Sequence, residues 1–348
     1  MVTHVRIRLT NIVVFELQTM KSGFLNLHKP AKHTSHQCVD AMRRVFDTRQ
    51  VGHGGTLDPM ATGVLTVAVG RATRFLQYLT TGKEYKGVIR LGITTDSDDG
   101  YGKVLTQNPA PWIDEKMVKM TLQRFIGNID QVPPRFSAIK TNGVRLYKLA
   151  RANKDFEVKP RRVQIDSIEV LDFTQGDYPE VNVNVACEGG TYIRSIAREC
   201  GEALIVPPEN VNPTNTLRNS VGEFCAGGIL TELERTRSGV YSVADSLDLD
   251  EIRSKVEQGK SPLQPIESML QHLPFANLPL QTAQRWLHGG VVTISAQDIV
   301  LGSNKNFEFS SGKPIRIYIS STPQMLGIAQ VDPQAQYKEF VLRKRVFI

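Results

Sequence analysis

The fold of this chain is decided by one stretch, Gly52-His53-Gly54-Gly55-Thr56-Leu57-Asp58-Pro59-Met60-Ala61-Thr62-Gly63-Val64-Leu65-Thr66-Val67-Ala68-Val69-Gly70. Glycine permits positive φ and close backbone approach, whereas proline fixes its own φ and restricts the residue before it. Asp58 is therefore predicted on a stiff, irregular loop that leads into a strand over Val64–Val69. A carboxylate here either forms a turn at the strand start or serves as a nucleophile or base, and the residues alone favour the turn.

Hydrophobic periodicity on either side of this loop predicts more strands than helices. Strands are predicted over 23–27, 64–69, 85–93, 163–173 and 181–187. Helices are predicted after Thr34-Ser35, over 72–79, from Asp114 to about 126, over 193–204 and over 282–288. Because strands and helices do not alternate regularly, we expect an α+β fold with a mixed, mostly antiparallel sheet flanked by helices, followed by a small β-rich C-terminal domain.

Composition and cysteine usage narrow the class of protein. The 348 residues are 41% hydrophobic and 22% charged, which is typical of a globular protein with a sizeable core. No apolar run reaches the roughly 18 residues of a membrane span, so we expect no membrane association. The four cysteines lack CxxC spacing, which indicates a reducing, cytoplasmic environment. His33, His36 and Cys38 match no zinc-ligand spacing, so we expect no metal site.

The formal net charge of +7 indicates an anionic partner. Residues 271–348 hold eight Lys/Arg and four Asp/Glu, and the last basic cluster is Arg343-Lys344-Arg345. A nucleic-acid phosphate backbone is a natural counterpart for such a segment. A solvated basic tail explains the same charge, and charge alone does not separate the two.

The stretch from Gly52 to Leu65 resembles the central motif of the TruB-type tRNA pseudouridine synthases, in which the aspartate is catalytic. Further segments resemble motifs of the same family and follow in the expected order. They are Lys83-Glu84-Tyr85-Lys86, Gly190-Thr191-Tyr192-Ile193-Arg194 and Leu233-Glu234-Arg235-Thr236. The resemblance covers about residues 23–348. It implies a pseudouridine-synthase fold with a PUA-like RNA-binding domain at the C-terminus.

The resemblance implies the catalytic residues of the site. Asp58 is expected to act on the nucleotide, by attack on C1′ or on the uracil ring or by assisting a glycal route, and the sequence does not choose among these. Arg194 is expected to pair with Asp58 and stabilise its charge. Tyr85 is expected to stack on the target base. Either Tyr85, or Asp58 acting through a water molecule, is expected to remove the C5 proton.

The resemblance also implies substrate-binding residues. Tyr192 and Leu233 are expected to line the uracil pocket, and His53 to insert where the uridine leaves its stack. Lys29 begins a segment similar to the first motif of the family, and Lys140 lies in a block similar to another motif. Without the resemblance, a turn histidine bound to backbone explains His53, and a surface lysine explains Lys140.

The activity that the resemblance implies is isomerisation of uridine 55 in the TΨC arm of tRNA. The uracil–ribose C–N bond breaks, the base rotates, and a C–C bond forms at C5. Because the atoms of the nucleotide are conserved, we expect no cofactor. The expected partner is the T arm of tRNA, and the protein is expected to be a monomer with no obligatory protein partner.

Four departures from the family pattern support alternative functions. Lys32 stands where glycine is usual, Glu188 and Gly189 replace the usual serine and lysine, and Glu234 replaces an arginine. One alternative is a non-catalytic tRNA-binding or tRNA-folding protein on the same scaffold. A nearer alternative is the related guide-RNA-dependent synthase, which requires partner proteins.

Three regions are predicted along the chain. Residues 1–20 form an N-terminal extension that is expected to be disordered. Residues 21–265 form the catalytic domain, and residues 266–348 form the PUA-like RNA-binding domain. The second boundary follows a stretch rich in glycine, serine and proline, Gln258–Pro265.

Overall fold

The computed structural model describes residues 22–141, 143–152, 154–211, 217–302, 312–320, 325–333 and 339–348. The predicted N-terminal extension, residues 1–20, lies outside the described residues. Within the described part of the chain, the strands form a nine-stranded sheet, a six-stranded sheet and two small two-stranded sheets.

The strands of the N-terminal region are β1 (Gly23–Lys29), β2 (Val51–His53), β3 (Thr62–Val69), β4 (Lys83–Leu91), β5 (Ile93–Thr95), β6 (Val104–Gln107), β7 (Gly127–Gln131), β8 (Lys140–Thr141), β9 (Val144–Arg145), β10 (Arg161–Thr174), β11 (Glu180–Cys187), β12 (Gly228–Ser238) and β13 (Tyr241–Ser242). Those of the C-terminal region are β14 (Phe275–Leu278), β15 (Val292–Ser295), β16 (Ile299–Val300), β17 (Lys313–Ile319), β18 (Met325–Pro333) and β19 (Glu339–Phe347).

The helices are α1 (Ser35–Val45), α2 (Glu115–Gln123), α3 (Leu146–Arg151), α4 (Ile193–Ala203), α5 (Leu249–Glu257) and α6 (Leu280–Leu287). Short 3₁₀ segments lie at Gly70–Tyr78, Pro208–Asn210, Val243–Asp245, Ile266–Leu270 and Ala296–Asp298. The helix predicted over 72–79 is a 3₁₀ helix that begins two residues earlier and ends one residue earlier. The helix predicted to reach about residue 126 ends at Gln123.

The nine-stranded sheet has the order β1-β3-β12-β4-β11-β10-β7, with β13 beside β12 and β2 beside β3. Its strand pairs are antiparallel except β3 with β12, which is parallel. The predicted mixed, mostly antiparallel sheet is confirmed. In β11 the valines are buried and the asparagines between them are partly exposed, so one face of the sheet carries the core.

The central strand β12 was not predicted as a strand. Its sequence, Gly-Ile-Leu-Thr-Glu-Leu-Glu-Arg-Thr-Arg-Ser, places a charged residue among the positions that the fold buries. Strand prediction rests on alternation of apolar and polar residues, and the buried Arg235 interrupts that alternation.

Helix α4 packs on the core face of this sheet. One hydrophobic cluster combines residues of α2 and α4 with β4, β11, β12 and the Asp58 loop. Helix α1 packs against β1–β3 in a second cluster. The site loop between β2 and β3 is therefore held between helices and sheet.

The two large sheets meet through a third hydrophobic cluster. It includes Phe24 and Val64 from the first sheet, Met269 from the 3₁₀ segment between the sheets, and Met325 and Ile328 from the second sheet. Strands of the first sheet end at Ser242 and those of the second begin at Phe275. The division of the chain at residues 265 and 266 stays a prediction. No helix in the described part of the chain is long and apolar enough to cross a membrane.

Candidate active site

Asp58 lies in the loop between β2 and β3, and this loop is held by hydrogen bonds to its backbone groups. The Ser35 hydroxyl accepts from the Leu57 N–H at 2.9 Å and lies 3.2 Å from the Leu57 carbonyl oxygen. The Ala61 N–H donates to the Asp58 carbonyl at 3.1 Å. Gly63 has φ of 94°, and a Cβ there would lie 2.3 Å from the Arg235 carbonyl oxygen. Only glycine therefore lets the loop enter β3 against β12.

Lys29 lies beneath this loop rather than at the protein surface. Its side chain is fully buried, and Nζ donates to the carbonyls of Pro30 at 2.8 Å, His33 at 2.6 Å and Pro59 at 3.4 Å. Burial lowers the pKa of Lys29 to about 8. The ammonium thus links the end of β1 to the residue that follows Asp58.

The lysine that replaces glycine at position 32 preserves the backbone shape of its loop. Lys32 has φ of 63°, in the left-handed region that glycine favours. Its N–H donates to the Pro59 carbonyl at 2.8 Å. The departure from the family pattern therefore places a strained residue here without breaking the contact to the Asp58 loop.

Arg194 forms a bidentate ion pair with Asp58. The guanidinium donates from Nε to Oδ2 at 2.8 Å and from Nη2 to Oδ1 at 2.9 Å. The Arg194 side chain is 3% exposed, whereas the Asp58 side chain is 29% exposed. A planar guanidinium matches both carboxylate oxygens at once and fixes their orientation. The carboxylate is thus reachable by a ligand while the arginine that holds it is not.

The remaining donors of Arg194 are also satisfied. Nη1 donates to the Ser97 carbonyl at 2.9 Å, and Nη2 also donates to the Phe136 carbonyl at 3.1 Å. A second carboxylate, Asp99, is 8% exposed and lies 3.6 Å from Nη1. Asp99 was not predicted as a site residue, because an acidic, glycine-containing turn is typical of a solvated loop. Its contact with Arg194 joins residues 95 positions apart, and no local pattern indicates it.

Tyr85 and Leu233 lie on neighbouring strands of the core face. Tyr85 is 6% exposed and Leu233 is 8% exposed, and both belong to the cluster that contains Leu57 and Met60 from the Asp58 loop. Burial raises the pKa of the Tyr85 phenol, which therefore stays protonated at neutral pH.

Tyr192 precedes α4 and is held through its backbone. Its N–H donates to Gln131 Oε1 at 2.8 Å, and Gln131 Nε2 donates back to the Tyr192 carbonyl at 3.1 Å. Burial, and to a smaller extent the Asp58 charge, raise the pKa of Tyr192. Gln131 is 1% exposed and was not predicted, since a glutamine at a strand end carries no functional signal by itself.

His53 ends β2, five residues before Asp58. Its Nδ1 accepts from the Gly55 N–H at 3.3 Å. Burial and the positive charge of Arg235 lower the pKa of His53, so the imidazole is neutral at pH 7. This geometry is that of a turn histidine bound to its own backbone, with its ring partly exposed beside the Asp58 loop.

The structure thus brings six of the predicted site residues to one part of the first sheet, namely Lys29, His53, Asp58, Tyr85, Arg194 and Leu233. Tyr192 joins them at the start of α4. Lys140 instead lies exposed in the β8–β9 hairpin, four residues after the Phe136 carbonyl that contacts Arg194. Across the described ranges, no group of three or more His, Cys, Asp or Glu side chains is arranged to hold a metal ion.

Positive charge is concentrated between residues 135 and 162 as well as near the C-terminus. Residues 135–162, here called the basic segment, contain nine Lys/Arg and two Asp/Glu. All nine of these cations are exposed. The side chains of the C-terminal cluster Arg343-Lys344-Arg345 lie outside the described part of the structure. The basic segment, which includes β8, β9, α3 and the start of β10, is the stronger candidate for contact with an anionic partner.

Comparison with known proteins places these residues in a family. Residues 43–193 match the model of the TruB family pseudouridylate synthase, N-terminal domain. The chain is 40% identical over 309 residues to "tRNA pseudouridine synthase B" of Trichormus variabilis, covering 89% of this chain and 94% of the relative. It is 46% identical over 268 residues to the protein of the same name from Gloeobacter violaceus, covering 77% and 85%.

Among solved structures, the chain is similar to one described as "Crystal Structure of a Cbf5-Nop10-Gar1 Complex". The TM-score is 0.67 at 25% sequence identity, and the match covers 95% of this chain and 87% of that chain. The predicted pseudouridine-synthase fold is confirmed by this likeness together with the six-stranded C-terminal sheet.

Proposed function

This chain belongs to the TruB family of pseudouridylate synthases, and we propose that it converts uridine 55 in the T arm of tRNA to pseudouridine, with Asp58 as the catalytic residue. The enzyme is an isomerase acting on tRNA. In the reaction, the N1–C1′ bond breaks, a C5–C1′ bond forms, C5 loses a proton and N1 gains one. The observation that carries the proposal is the bidentate pair of a buried arginine with a partly exposed aspartate.

The Asp58–Arg194 pair suits a reaction in which the carboxylate acts on the nucleotide. Arg194 receives three backbone or carboxylate contacts in addition to Asp58, so its position is fixed before substrate arrives. Preorganised charge of this kind stabilises a transition state without further rearrangement. The 29% exposure of Asp58 leaves the carboxylate accessible to a nucleotide.

The uracil pocket is proposed to lie between Tyr85, Tyr192 and Leu233. Tyr85 and Leu233 share one hydrophobic cluster with the Asp58 loop, and Tyr192 is fixed by Gln131. An aromatic ring holds an unstacked base at about 1–3 kcal/mol per contact. His53 is proposed to insert into the RNA where the uridine leaves its stack, and its neutral ring favours stacking over contact with phosphate.

Asp58, acting through a water molecule, is the better candidate for removing the C5 proton. Burial raises the pKa of Tyr85, so its phenol is protonated and lacks the free charge that a general base uses. Tyr85 is therefore proposed to position the base rather than to accept the proton.

Lys29 is proposed to position the catalytic loop, in place of the substrate-binding role that the resemblance implied. Its ammonium is fully buried and donates to three backbone carbonyls, one of them directly after Asp58. Ser35 and Lys29 together hold both sides of Asp58. Lys140 stays a proposed RNA-binding residue, since its ammonium is exposed within the basic segment.

The basic segment is proposed to bind the phosphate backbone of the T arm. The segment includes Phe136, whose carbonyl accepts from Arg194, so one end of this exposed, positively charged stretch reaches the catalytic pair. Residues 266–348, with their own sheet, are proposed as a second RNA-binding domain. We propose that the protein works as a stand-alone cytoplasmic monomer. The four cysteines are free and buried, in keeping with a reducing compartment.

The proposal is tested by mapping pseudouridine at single-nucleotide resolution on an unmodified tRNA transcript incubated with purified protein alone. We expect modification at position 55 with wild-type protein and with Lys86→Met, an exposed lysine next to Tyr85 that serves as control. Asp58→Ala should show no modification while retaining tRNA affinity. Modification at another position contradicts the assignment to uridine 55. Binding without modification by the wild-type protein supports the tRNA-binding alternative or a requirement for a guide and partners.

A further inference from the structure

Two cations lie next to each other at the Gly54-Gly55 turn. Arg235, in the middle of β12, is 1% exposed, and Lys83, the first residue of β4, is partly exposed. A Cβ built on Gly55 would lie 3.1 Å from Lys83 Nζ and 3.6 Å from Arg235 Nη1. Both nitrogens are therefore within contact distance of one point beside Gly55.

One guanidinium nitrogen of Arg235, Nη1, donates no hydrogen bond with good geometry within the described residues. Nε donates to the Val64 carbonyl at 2.7 Å, and Nη2 donates to the Gly55 carbonyl at 3.1 Å. Nη1 is buried and has no acceptor in good hydrogen-bond geometry within the described residues, and the neutral Tyr85 phenol is the side-chain group that interacts with this guanidinium. Buried donors are almost always paired, so an unpaired guanidinium nitrogen beside a second cation needs an explanation.

The neighbouring groups do not neutralise these two charges. Glu188 is the carboxylate whose charge acts on Lys83, and a single carboxylate offsets only one of the two positive charges. The thiol of Cys187 is neutral at pH 7, because burial raises its pKa to about 11. Burial and the charge of Arg235 lower the pKa of Lys83. The described surroundings therefore leave an excess of positive charge at this turn.

Glycines lie on two sides of Lys83 Nζ. Gly55 has φ of 152°, a conformation that favours glycine. On the other side, a Cβ built on Gly189 would lie 3.6 Å from Lys83 Nζ, and Gly190 follows it. Turns without side chains let a ligand backbone approach closely. Gly55 is two residues from His53 and three from Asp58.

We propose that Lys83, with Arg235 beneath it, binds one phosphate group of the RNA strand next to the target nucleotide. Lys83 makes the direct contact, since its side chain is the more exposed of the two. Arg235 acts as a fixed charge that strengthens the site and joins β12 to the Gly55 turn. This inference rests on the proposed function, because it takes the RNA substrate as the source of the phosphate.

The test measures RNA affinity rather than turnover, in an Asp58→Asn background that stops the reaction. The probes are T-arm hairpins that each carry a single neutral methylphosphonate linkage, scanned through the loop. Lys83→Met should weaken binding of the all-phosphate hairpin by about tenfold. Lys86→Met, on the same strand, exposed and in register with Glu234, is the matched control and should weaken binding less than about twofold.

One linkage should distinguish the proposed site from general electrostatics. At that linkage, the neutral methylphosphonate should weaken binding by the protein that retains Lys83. It should have no further effect on binding by Lys83→Met. Equal losses for Lys83→Met and Lys86→Met, or additive losses at every linkage, would overturn the proposal. Arg235→Lys is a second variant, checked by thermal unfolding, and should weaken binding at the same linkage only.

Failure of the proposed function gives a different result. If the protein lacks synthase activity but binds the hairpin, the linkage scan still reports the phosphate site. If Lys83→Met leaves hairpin affinity unchanged in the Asp58→Asn background, while the wild-type protein modifies position 55, the phosphate site is wrong and the proposed function stands. Inorganic phosphate serves as a competitor. If free phosphate abolishes the difference in affinity caused by Lys83→Met, and no single methylphosphonate linkage weakens binding, the site binds a free anion and the proposal is contradicted.

Discussion

The Asp58 site and the basic segment use arginine and lysine in opposite ways. At the site, Arg194 is 3% exposed and each of its guanidinium nitrogens has a protein acceptor. In the basic segment, nine cations are exposed and two carboxylates accompany them. A buried and fully paired cation holds a group in place, whereas exposed cations remain available to an external anion.

This difference separates what the two regions can contribute to function. The buried pair is little screened by salt, because screening acts mainly on exposed charges. Contacts between exposed cations and phosphates weaken steeply as salt rises, since binding releases counterions. Substitutions at the site should therefore change turnover at constant affinity, and substitutions in the basic segment should change affinity in a salt-dependent manner.

The largest expected effect follows from Asp58→Asn. The amide keeps the shape of the side chain but removes the charge that Arg194 holds, so turnover should fall by at least about 10⁴-fold. Affinity for tRNA should change less than about threefold, because RNA contact is assigned to other residues. Single-turnover tritium release from uracil C5 and a binding titration measure the two quantities. A large loss of affinity would show that the site and the RNA-binding surface are not separate.

The next effect is that of Arg194→Lys. Lysine keeps the charge but loses the planar fork that contacts both Asp58 oxygens, so the carboxylate should be mispositioned. Turnover should fall by about 10²-fold, the cost of a displacement of roughly 1 Å in a catalytic group. Single-turnover rates at saturating protein give this value. The control is Arg198→Lys, one turn further along α4, whose guanidinium pairs with Asp98 rather than Asp58. Equal losses in both variants would assign the effect to loop packing.

Asp58 and Arg194 were predictable from the sequence as site residues, but the loop contacts that hold Arg194 in place were not. The motif around Asp58 and the arginine of α4 are local segments with recognisable residue order. Asp99, Ser97 and Phe136 approach Arg194 from loops 58 to 97 residues away. No periodicity or spacing indicates such contacts, because they depend on how separate loops fold over the sheet.

The same distinction applies to the fold. Strands β3 and β11 were predicted, since each has either a continuous apolar run or regular alternation. Strand β12 was missed because Arg235 occupies a buried position between Glu234 and Thr236, where the alternation predicts an apolar residue. The buried position of Lys29 was not predicted for a similar reason. A lysine in a sequence indicates exposure to solvent, and only the three carbonyls around Nζ explain its burial.

A smaller effect is expected from the titration of Lys29. Above its pKa of about 8, the amine loses a proton and one of its three donors, so the loop after Asp58 should loosen and turnover should fall several-fold between pH 7.5 and pH 9. The pKa in the folded protein lies below the unfolded value of 10.5. Between these values the unfolded chain binds more protons, so the Lys29 contribution to the free energy of unfolding rises with pH. If turnover falls with pH while the free energy of unfolding does not, the loss comes from a mispositioned loop and not from unfolding of the protein.

The control for this titration is Lys29→Met, which removes the titrating group. Its turnover should be about tenfold below wild type at pH 7.5 and should lack the decline centred near pH 8. Cys38 is close enough to act on Lys29, but burial raises the pKa of its thiol, so it stays neutral in this range. A decline of the same size in Lys29→Met would assign the pH effect to another group.

The smallest effect is expected from the double substitution Lys148→Gln/Arg151→Gln in the basic segment. Both side chains are exposed on α3, so each should contribute one screened phosphate contact. Affinity should fall about threefold to tenfold at 0.1 M salt, and the slope of log affinity against log salt should decrease by about one unit per contact. Turnover of bound tRNA should not change.

Lys116→Gln/Lys119→Gln on α2, a helix outside the basic segment, is the matched control for loss of two charges. If both pairs lower the slope equally, net charge rather than the basic segment attracts the RNA. If only the first pair does so, the exposed cations of residues 135–162 form the RNA-binding surface, and the contrast with the salt-insensitive Asp58–Arg194 pair holds.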